Sequence, residues 1–134
     1  MKVFFDNCTS PVMSRTLHGY LGATTEVVHA RDLGLQTRSD PEWIKYLHAT
    51  GDAWTVVTGD ARIFKNRAER EAFRRAGLRG VVLAAAYPKT PMGRCCGIII
   101  AKWDDMIEFT RQIEPPFLVE MSINLNSGFR ILPL

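Results

Sequence analysis

Asp6, Asp40 and Asp60 have the strongest claim to chemistry in this chain, because each stands where a regular element meets a turn. Asp6 closes the apolar run Lys2-Val3-Phe4-Phe5, and Asp60 follows Thr55-Val56-Val57-Thr58-Gly59. Ser39-Asp40-Pro41-Glu42 opens a helix and offers two further acids. Carboxylates held within ~5 Å repel one another and raise each other's pKa. A Mg²⁺ or Mn²⁺ ion reverses that, because hard cations prefer oxygen ligands, and Mg²⁺ needs only one or two protein carboxylates beside its waters and substrate phosphate oxygens. Such an ion lowers the pKa of a bound water and offsets charge building on a phosphate. Phosphodiester hydrolysis is the chemistry that suits an acid-only pocket. The plainer alternative is that Asp6 and Asp60 only bond to turn amides, and that Asp40 and Glu42 only cap a helix.

The basic stretch that follows Asp60 agrees with a phosphate-bearing substrate. Between positions 62 and 79 there are seven cationic residues, Arg62, Lys65, Arg67, Arg70, Arg74, Arg75 and Arg79, against Glu69 and Glu71. Such a stripe attracts a nucleic-acid backbone in a salt-dependent way, with Arg62, Lys65, Arg67, Arg70 and Arg74 as the candidate nucleic-acid-binding set. A solvated helix face is the alternative. Other chemistries have less support. His18, His29 and His48 show no His-x-x-His spacing, no serine lies in a Gly-x-Ser-x-Gly turn, and Gly77-Leu78-Arg79-Gly80 is a linker rather than a phosphate loop. A phosphorylated receiver would need an early acidic pair and a lysine closing a later strand, and both are missing.

The elements that must position these acids alternate between strand and helix. Residues 2–6 read as a strand buried on both faces. Thr9 or Ser10 then caps a helix with Pro11 in its first turn, an apolar stripe of Met13, Leu17, Tyr20 and Leu21, and Gly22 as its stop. A strand over 25–29 precedes a polar connection from Ala30 to Arg38. Ser39 and Glu42 match a capping box, opening a helix to about Ala49 that buries Trp43, Ile44 and Leu47. Ala53–Val57 is the next strand, followed by the segment Arg62-Ile63-Phe64-Lys65-Asn66 and a helix from about Asn66 to Ala76. Gly80 precedes a strand over Val81–Ala86, and Pro88 and Pro91 keep the following connection extended. A long helix is expected from Gly93 to Ile113, with Ile99, Trp103, Met106, Ile107 and Ile113 on one face, ended by Glu114-Pro115-Pro116. Strands over Phe117–Ile123 and Phe129–Leu132 flank Asn126-Ser127-Gly128, a hairpin signal. The alternation predicts an α/β fold on a mostly parallel sheet, with ligands beyond the carboxyl ends of its strands. That rule puts Asp6 and Asp60 on one rim, with Asp40 facing them.

At 134 residues, 46% of them apolar, the chain fits a single globular domain spanning 1–134, with the hairpin 117–134 as an extension. No apolar run approaches the ~18 residues that cross a bilayer, so no membrane partner is expected and the protein reads as cytosolic. Three cysteines, Cys8, Cys95 and Cys96, without a Cys-x-x-Cys pair indicate neither a disulfide framework nor a zinc ribbon. Cys95 and Cys96 read as small apolar side chains opening a helix. The net charge of +3 permits an anionic partner without demanding one.

With the acids placed, the ordered set Phe4-Phe5-Asp6-Asn7, Ser10-Pro11, Val28-His29-Ala30-Arg31-Asp32-Leu33-Gly34-Leu35, Ser39-Asp40 and Val56-Val57-Thr58-Gly59-Asp60 resembles a PIN domain, in particular the short PIN-like branch associated with VapC-type toxins. The resemblance is good from residue 2 to about 86 and weaker beyond. It implies a three-layer α/β sandwich and a Mg²⁺- or Mn²⁺-dependent endoribonuclease, usually the toxin of a toxin–antitoxin pair, with RNA as substrate and a cognate antitoxin as protein partner. It also implies that Asp6, Asp40 and Asp60 are catalytic metal ligands, supported through Asn7, Thr58 and Glu42. Asn7 stands where many relatives carry Glu, and Arg62 where many carry a further Asp. A non-catalytic PIN-like module binding RNA or protein is the alternative function. The apolar tail, Phe117 to Leu134, extends the sheet or packs on the core, and a homodimer or antitoxin edge contact is its other use.

Overall fold

A computed structural model describes residues 1–60, 62 and 65–134; Ala61, Ile63 and Phe64, part of the connection after Asp60, lie outside the described residues. Among the described residues, regular segments run in the order β1 (Lys2–Phe5), α1 (Pro11–Leu21), β2 (Glu26–His29), a short 3-10 turn (Ala30–Leu33), α2 (Asp40–Ala49), β3 (Trp54–Thr58), α3 (Arg67–Arg75), β4 (Arg79–Leu83), another 3-10 turn (Tyr87–Lys89), α4 (Met92–Thr110), β5 (Phe117–Met121) and β6 (Phe129–Leu132). The six strands form one sheet in the order β2-β1-β3-β4-β5-β6. The first five strands pair in parallel, and β6 returns antiparallel to β5.

Two apolar layers cover the sheet, and the period-2 alternation of the strands decides which residue meets which layer. Val3, Phe5, Val57, Val81 and Val119 point to one side, with Met13 and Leu17 of α1 and Ile99, Trp103 and Met106 of α4. Phe4, Val56, Val82 and Leu118 point to the other, with Trp43, Ile44 and Leu47 of α2 and Phe73 of α3. The outcome is the expected three-layer α/β sandwich on a mostly parallel sheet. Central strands that are apolar on both faces can exist only when both faces are covered. Among the described residues no helix is long and apolar enough to cross a membrane.

Local expectations hold where capping chemistry is explicit. Ser10 caps α1 by accepting from the Val12 amide, with Pro11 at the first helical position, and Asn66 caps α3 by accepting from the Ala68 and Glu69 amides. Several boundaries differ. The capping box at α2 does not form, because the Ser39 hydroxyl donates to the Glu42 carboxylate at 3.1 Å instead of engaging the backbone. Tyr20 leaves the α1 stripe, 49% exposed, and its hydroxyl donates to Asp104. Gly80 lies inside β4 rather than before it, β4 ends at Leu83, and Ala85 and Ala86 are turn rather than strand. Tyr87–Lys89 coil into a 3-10 turn, so Pro88 does not extend the connection. The helix α4 stops at Thr110, leaving Ile113 beyond its end but still packed on the core, and β5 stops at Met121. Cys95 and Cys96 are free and buried near the start of α4.

Gly80 shows how tight the two-layer packing is. A Cβ there would lie 2.3 Å from Leu118 Cδ2, 3.0 Å from Phe73 Cζ and 3.3 Å from the Phe117 carbonyl oxygen. Leu118 is itself buried, and one of the three obstacles is backbone, so the strain has no easy outlet. Gly80→Ala is expected to cost about 1–3 kcal/mol of unfolding free energy by overpacking, measured by urea denaturation. A variant as stable as the wild type would show that this part of the core yields.

Candidate metal and nucleic-acid site

The parallel pairing of β1 with β3 sets Phe5 beside Val57, so both strands deliver their next residues at the same rim. The Asp6 amide extends that ladder by donating to the Val57 carbonyl at 3.1 Å. The two exits then run close together. A Cβ on Gly59 would lie 2.8 Å from the Cys8 carbonyl oxygen, a contact that real side chains do not make. Glycine at 59 is what lets the Asp6 and Asp60 turns meet.

Asp6 is 1% exposed. Its Oδ1 accepts from the Cys8 amide at 3.1 Å, whereas its Oδ2 is buried with no hydrogen-bond partner. Burial pushes this carboxyl up to about 7; the Thr58 hydroxyl and the Cys8 and Gly59 amides pull the other way, and the charge of Asp40 adds to the rise. Asp40, in the first turn of α2, accepts from the Trp43 indole at 2.8 Å. Burial raises its pKa too, against that hydrogen bond, and the charge of Asp60 reinforces the shift. Asp60 behaves differently. Burial alone would raise it, but the side chain and amide of Arg62, with the charges of Arg62 and Lys65, hold it below the usual carboxylate range. The Arg62 amide and Nε reach its Oδ1 at 2.9 and 3.1 Å, and the Thr58 hydroxyl accepts from its amide at 3.2 Å.

Asp40 acts on Asp6 and Asp60 acts on Asp40, a chain of influence that links the three acids electrostatically. Cys8 reports the same field: although the residue is exposed, partial desolvation, then the charges of Asp6, Asp60 and Asp40, push its thiol up to about 11. Glu69 joins them. Burial and the charges of Asp40 and Asp60 raise its pKa, although in the sequence it passes for an ordinary first-turn acid after the Asn66 cap. The sequence reading missed it, because its proximity depends on how α3 crosses the sheet. A cavity of about 450 Å³ adjoins the rim, lined by Cys8, Gly59, Asp60, Arg62, Leu83 and Glu120 among others.

Other expected residues lie elsewhere. The exposed Glu42 is turned toward Arg38 and Ser39, at 3.2 and 3.1 Å, so it braces the start of α2 rather than the pocket. Asn7 is exposed, and its amide donates to the Leu35 carbonyl at 3.0 Å, so it secures the loop rather than the carboxylates. The basic residues divide. Arg62 and Lys65 act on Asp60, Arg67 is exposed, and Arg70 has a buried Nε without a partner. Arg74 bonds to the Leu134 carbonyl and pairs with Glu71, so its charge is engaged within the molecule.

Among the described residues, no group of three or more His, Cys, Asp or Glu side chains is placed to hold a metal ion. The donor set nonetheless fits a hard divalent cation that keeps most of its waters. It is all oxygen, its charges repel, and one buried carboxylate oxygen lacks any donor.

Because Asp6 binds its proton more tightly when folded than the value of about 4 expected unfolded, ionising it opposes folding. This contribution is intact below about 4 and is lost as pH rises through about 7. Asp6→Asn, which has no charge to lose, should match the metal-free wild type near pH 4 and exceed its stability at pH 8 by on the order of a few kcal/mol. Urea denaturation at both pH values measures the gap, and a gap that does not grow with pH would refute the burial argument.

Residues 1–85 match the model of a family described as PIN like domain, an interval that contains Asp6, Asp40, Asp60 and Glu69. No curated protein and no solved structure matches the chain.

Proposed function

The chain belongs to the PIN-like domain family, whose members are commonly nucleases, and on that premise we propose that it is a metal-dependent endoribonuclease, the toxin of a type II toxin–antitoxin pair. The observation that carries this reading is the buried Asp6 carboxyl, whose Oδ2 makes no hydrogen bond and which feels the charge of Asp40, itself under the charge of Asp60. A divalent cation would relieve that crowding, with Asp6 and Asp60 holding Mg²⁺ or Mn²⁺ and Asp40 completing the set. Such an ion supplies a water of lowered pKa and offsets charge on the scissile phosphate.

The chain's own residues bind and orient the RNA. Arg62 and Lys65, beside Asp60, attract the phosphate backbone toward the 450 Å³ cavity, and Arg67 and Arg70 extend the track along α3. Arg62 has to exchange its Asp60 contact for a phosphate oxygen, an exchange favoured when a cation takes over the carboxylate. An antitoxin that covers this rim would block the cavity and the acids together. The apolar tail is the surface proposed for a homodimer or antitoxin edge contact.

The Arg62–Asp60 ion pair at 3.1 Å also favours a second reading. Here the guanidinium serves as the rim's permanent cation and the domain binds RNA or protein without cleaving.

Two measurements separate the readings. Asp6→Asn and Asp60→Asn should each lower Mg²⁺-dependent RNA cleavage by roughly 100-fold or more, the scale of losing transition-state charge stabilisation. Mn²⁺ calorimetry should show heat in the wild type that both variants lack. Equal cleavage by wild type and variants would refute the nuclease, and heat independent of the carboxylates would refute the metal site.

A further inference from the structure

The segment Val28–Leu35 takes no part in the acidic rim, yet it carries a buried histidine, an internal capping pair and a left-handed glycine. His29 ends β2 directly beside Phe5 of β1, one residue before Asp6. It is 2% exposed, and both ring nitrogens are engaged. The Arg31 amide donates to Nδ1 at 3.0 Å. A backbone N–H can only donate, so Nδ1 is bare and Nε2 carries the hydrogen. Nε2 lies 2.8 Å from the Thr9 carbonyl oxygen, which can only accept. The tautomer is thereby fixed, and the imidazole spans from its own turn to the loop that holds Asp6.

That loop is short and internally tied. The Thr9 amide and hydroxyl both donate to the Asp6 carbonyl, at 3.1 and 2.7 Å, and the Cys8 amide donates to Asp6 Oδ1. Thr9 thus receives His29 through its carbonyl and grips Asp6 through its amide and hydroxyl. A second tie runs from the same segment, since the Asn7 side-chain amide donates to the Leu35 carbonyl at 3.0 Å. Leu35 is set by its own amide bond to Ala30 and by Gly34 at φ 71°, while Asp32 caps the His29 amide at 2.8 Å. The turn is a rigid block with two hydrogen bonds onto the Asp6 loop.

We propose that His29 is a positioning residue for Asp6: in its Nε2–H form it holds the Thr9 carbonyl, and through Thr9 it fixes the carboxyl at the rim. The function assigned to that carboxyl, holding a cation, rests on the nuclease reading, but the clamp itself does not.

Two substitutions divide the imidazole's two bonds. His29→Gln carries an amide donor out to the Nε2 position and gives up the acceptor for Arg31. His29→Asn keeps an acceptor near Nδ1 and is too short to reach Thr9. The direct readout is amide hydrogen exchange at Cys8 and Thr9 in metal-free protein, with Mn²⁺ affinity by calorimetry as the second. The clamp predicts that Gln preserves protection and that Asn loses it by about tenfold, the size of one net hydrogen bond. Mn²⁺ affinity should follow the same order. Protection kept by Asn and lost by Gln would overturn the proposal, leaving His29 as a cap of its own turn. Equal protection in both variants would overturn it as well. If the wild type binds no Mn²⁺ the nuclease reading fails, and the exchange data still decide the clamp.

Discussion

A carboxyl group removed from water with one oxygen left unpaired is the constraint around which this molecule is arranged. An ionised carboxylate in that position is costly unless a cation or several donors approach it. The Cys8 amide bonds to Oδ1, the Thr58 hydroxyl and Gly59 amide only partly offset the effect of burial, and Oδ2 makes no hydrogen bond of its own. The surrounding architecture then fixes the group in place. Parallel pairing of β1 and β3 sets its height at the rim, and Gly59 admits the neighbouring turn. The first turn of α2 adds Asp40, which pushes the Asp6 carboxyl further toward its neutral form.

The rim resolves its repulsion unevenly. Asp6 and Asp40 shift up, while Asp60 shifts down because Arg62 pairs with it. Carboxyls in one neighbourhood therefore hold their protons with different affinities. That division between a proton-holding acid and a charged one is the usual mark of a functional site, although ion-pair networks produce it too. Here the asymmetry has an identifiable origin. Asp6 follows a strand into the core, whereas Asp60, beyond Gly59, is half-buried and paired with Arg62 at the start of the basic stretch.

The residues beyond the family match, 86–134, are joined to the rest by the sheet itself. β5 pairs with β4 and β6 with β5, and α4 packs on the same face as α1. The β5–β6 connection is held from below by Lys102, which is 3% exposed. Its ammonium donates to the Ser122 carbonyl and hydroxyl and to the Asn124 carbonyl, at 3.2, 3.1 and 2.9 Å. A lysine so buried is tolerated because all three of its donors are used.

The sequence by itself determined the alternation of elements, the covered parallel sheet and the delivery of Asp6 and Asp60 to one rim. These follow from short-range physics: a strand apolar at every position needs cover on both faces, and Pro11 and Asn66 start helices wherever the tertiary fold sends them. Boundaries were less legible where packing competed with local preference. Gly80 sits in β4 because two core side chains press against it, and Ser39 and Glu42 bonded to each other rather than to the backbone. Only the tertiary structure decided that Glu69 joins the acids, that Glu42 faces away, that Arg74 turns to the tail, and that His29 reaches the Asp6 loop. Each of those outcomes depends on the crossing of segments distant in the chain, and an isolated stretch of residues carries no record of which neighbour it will meet.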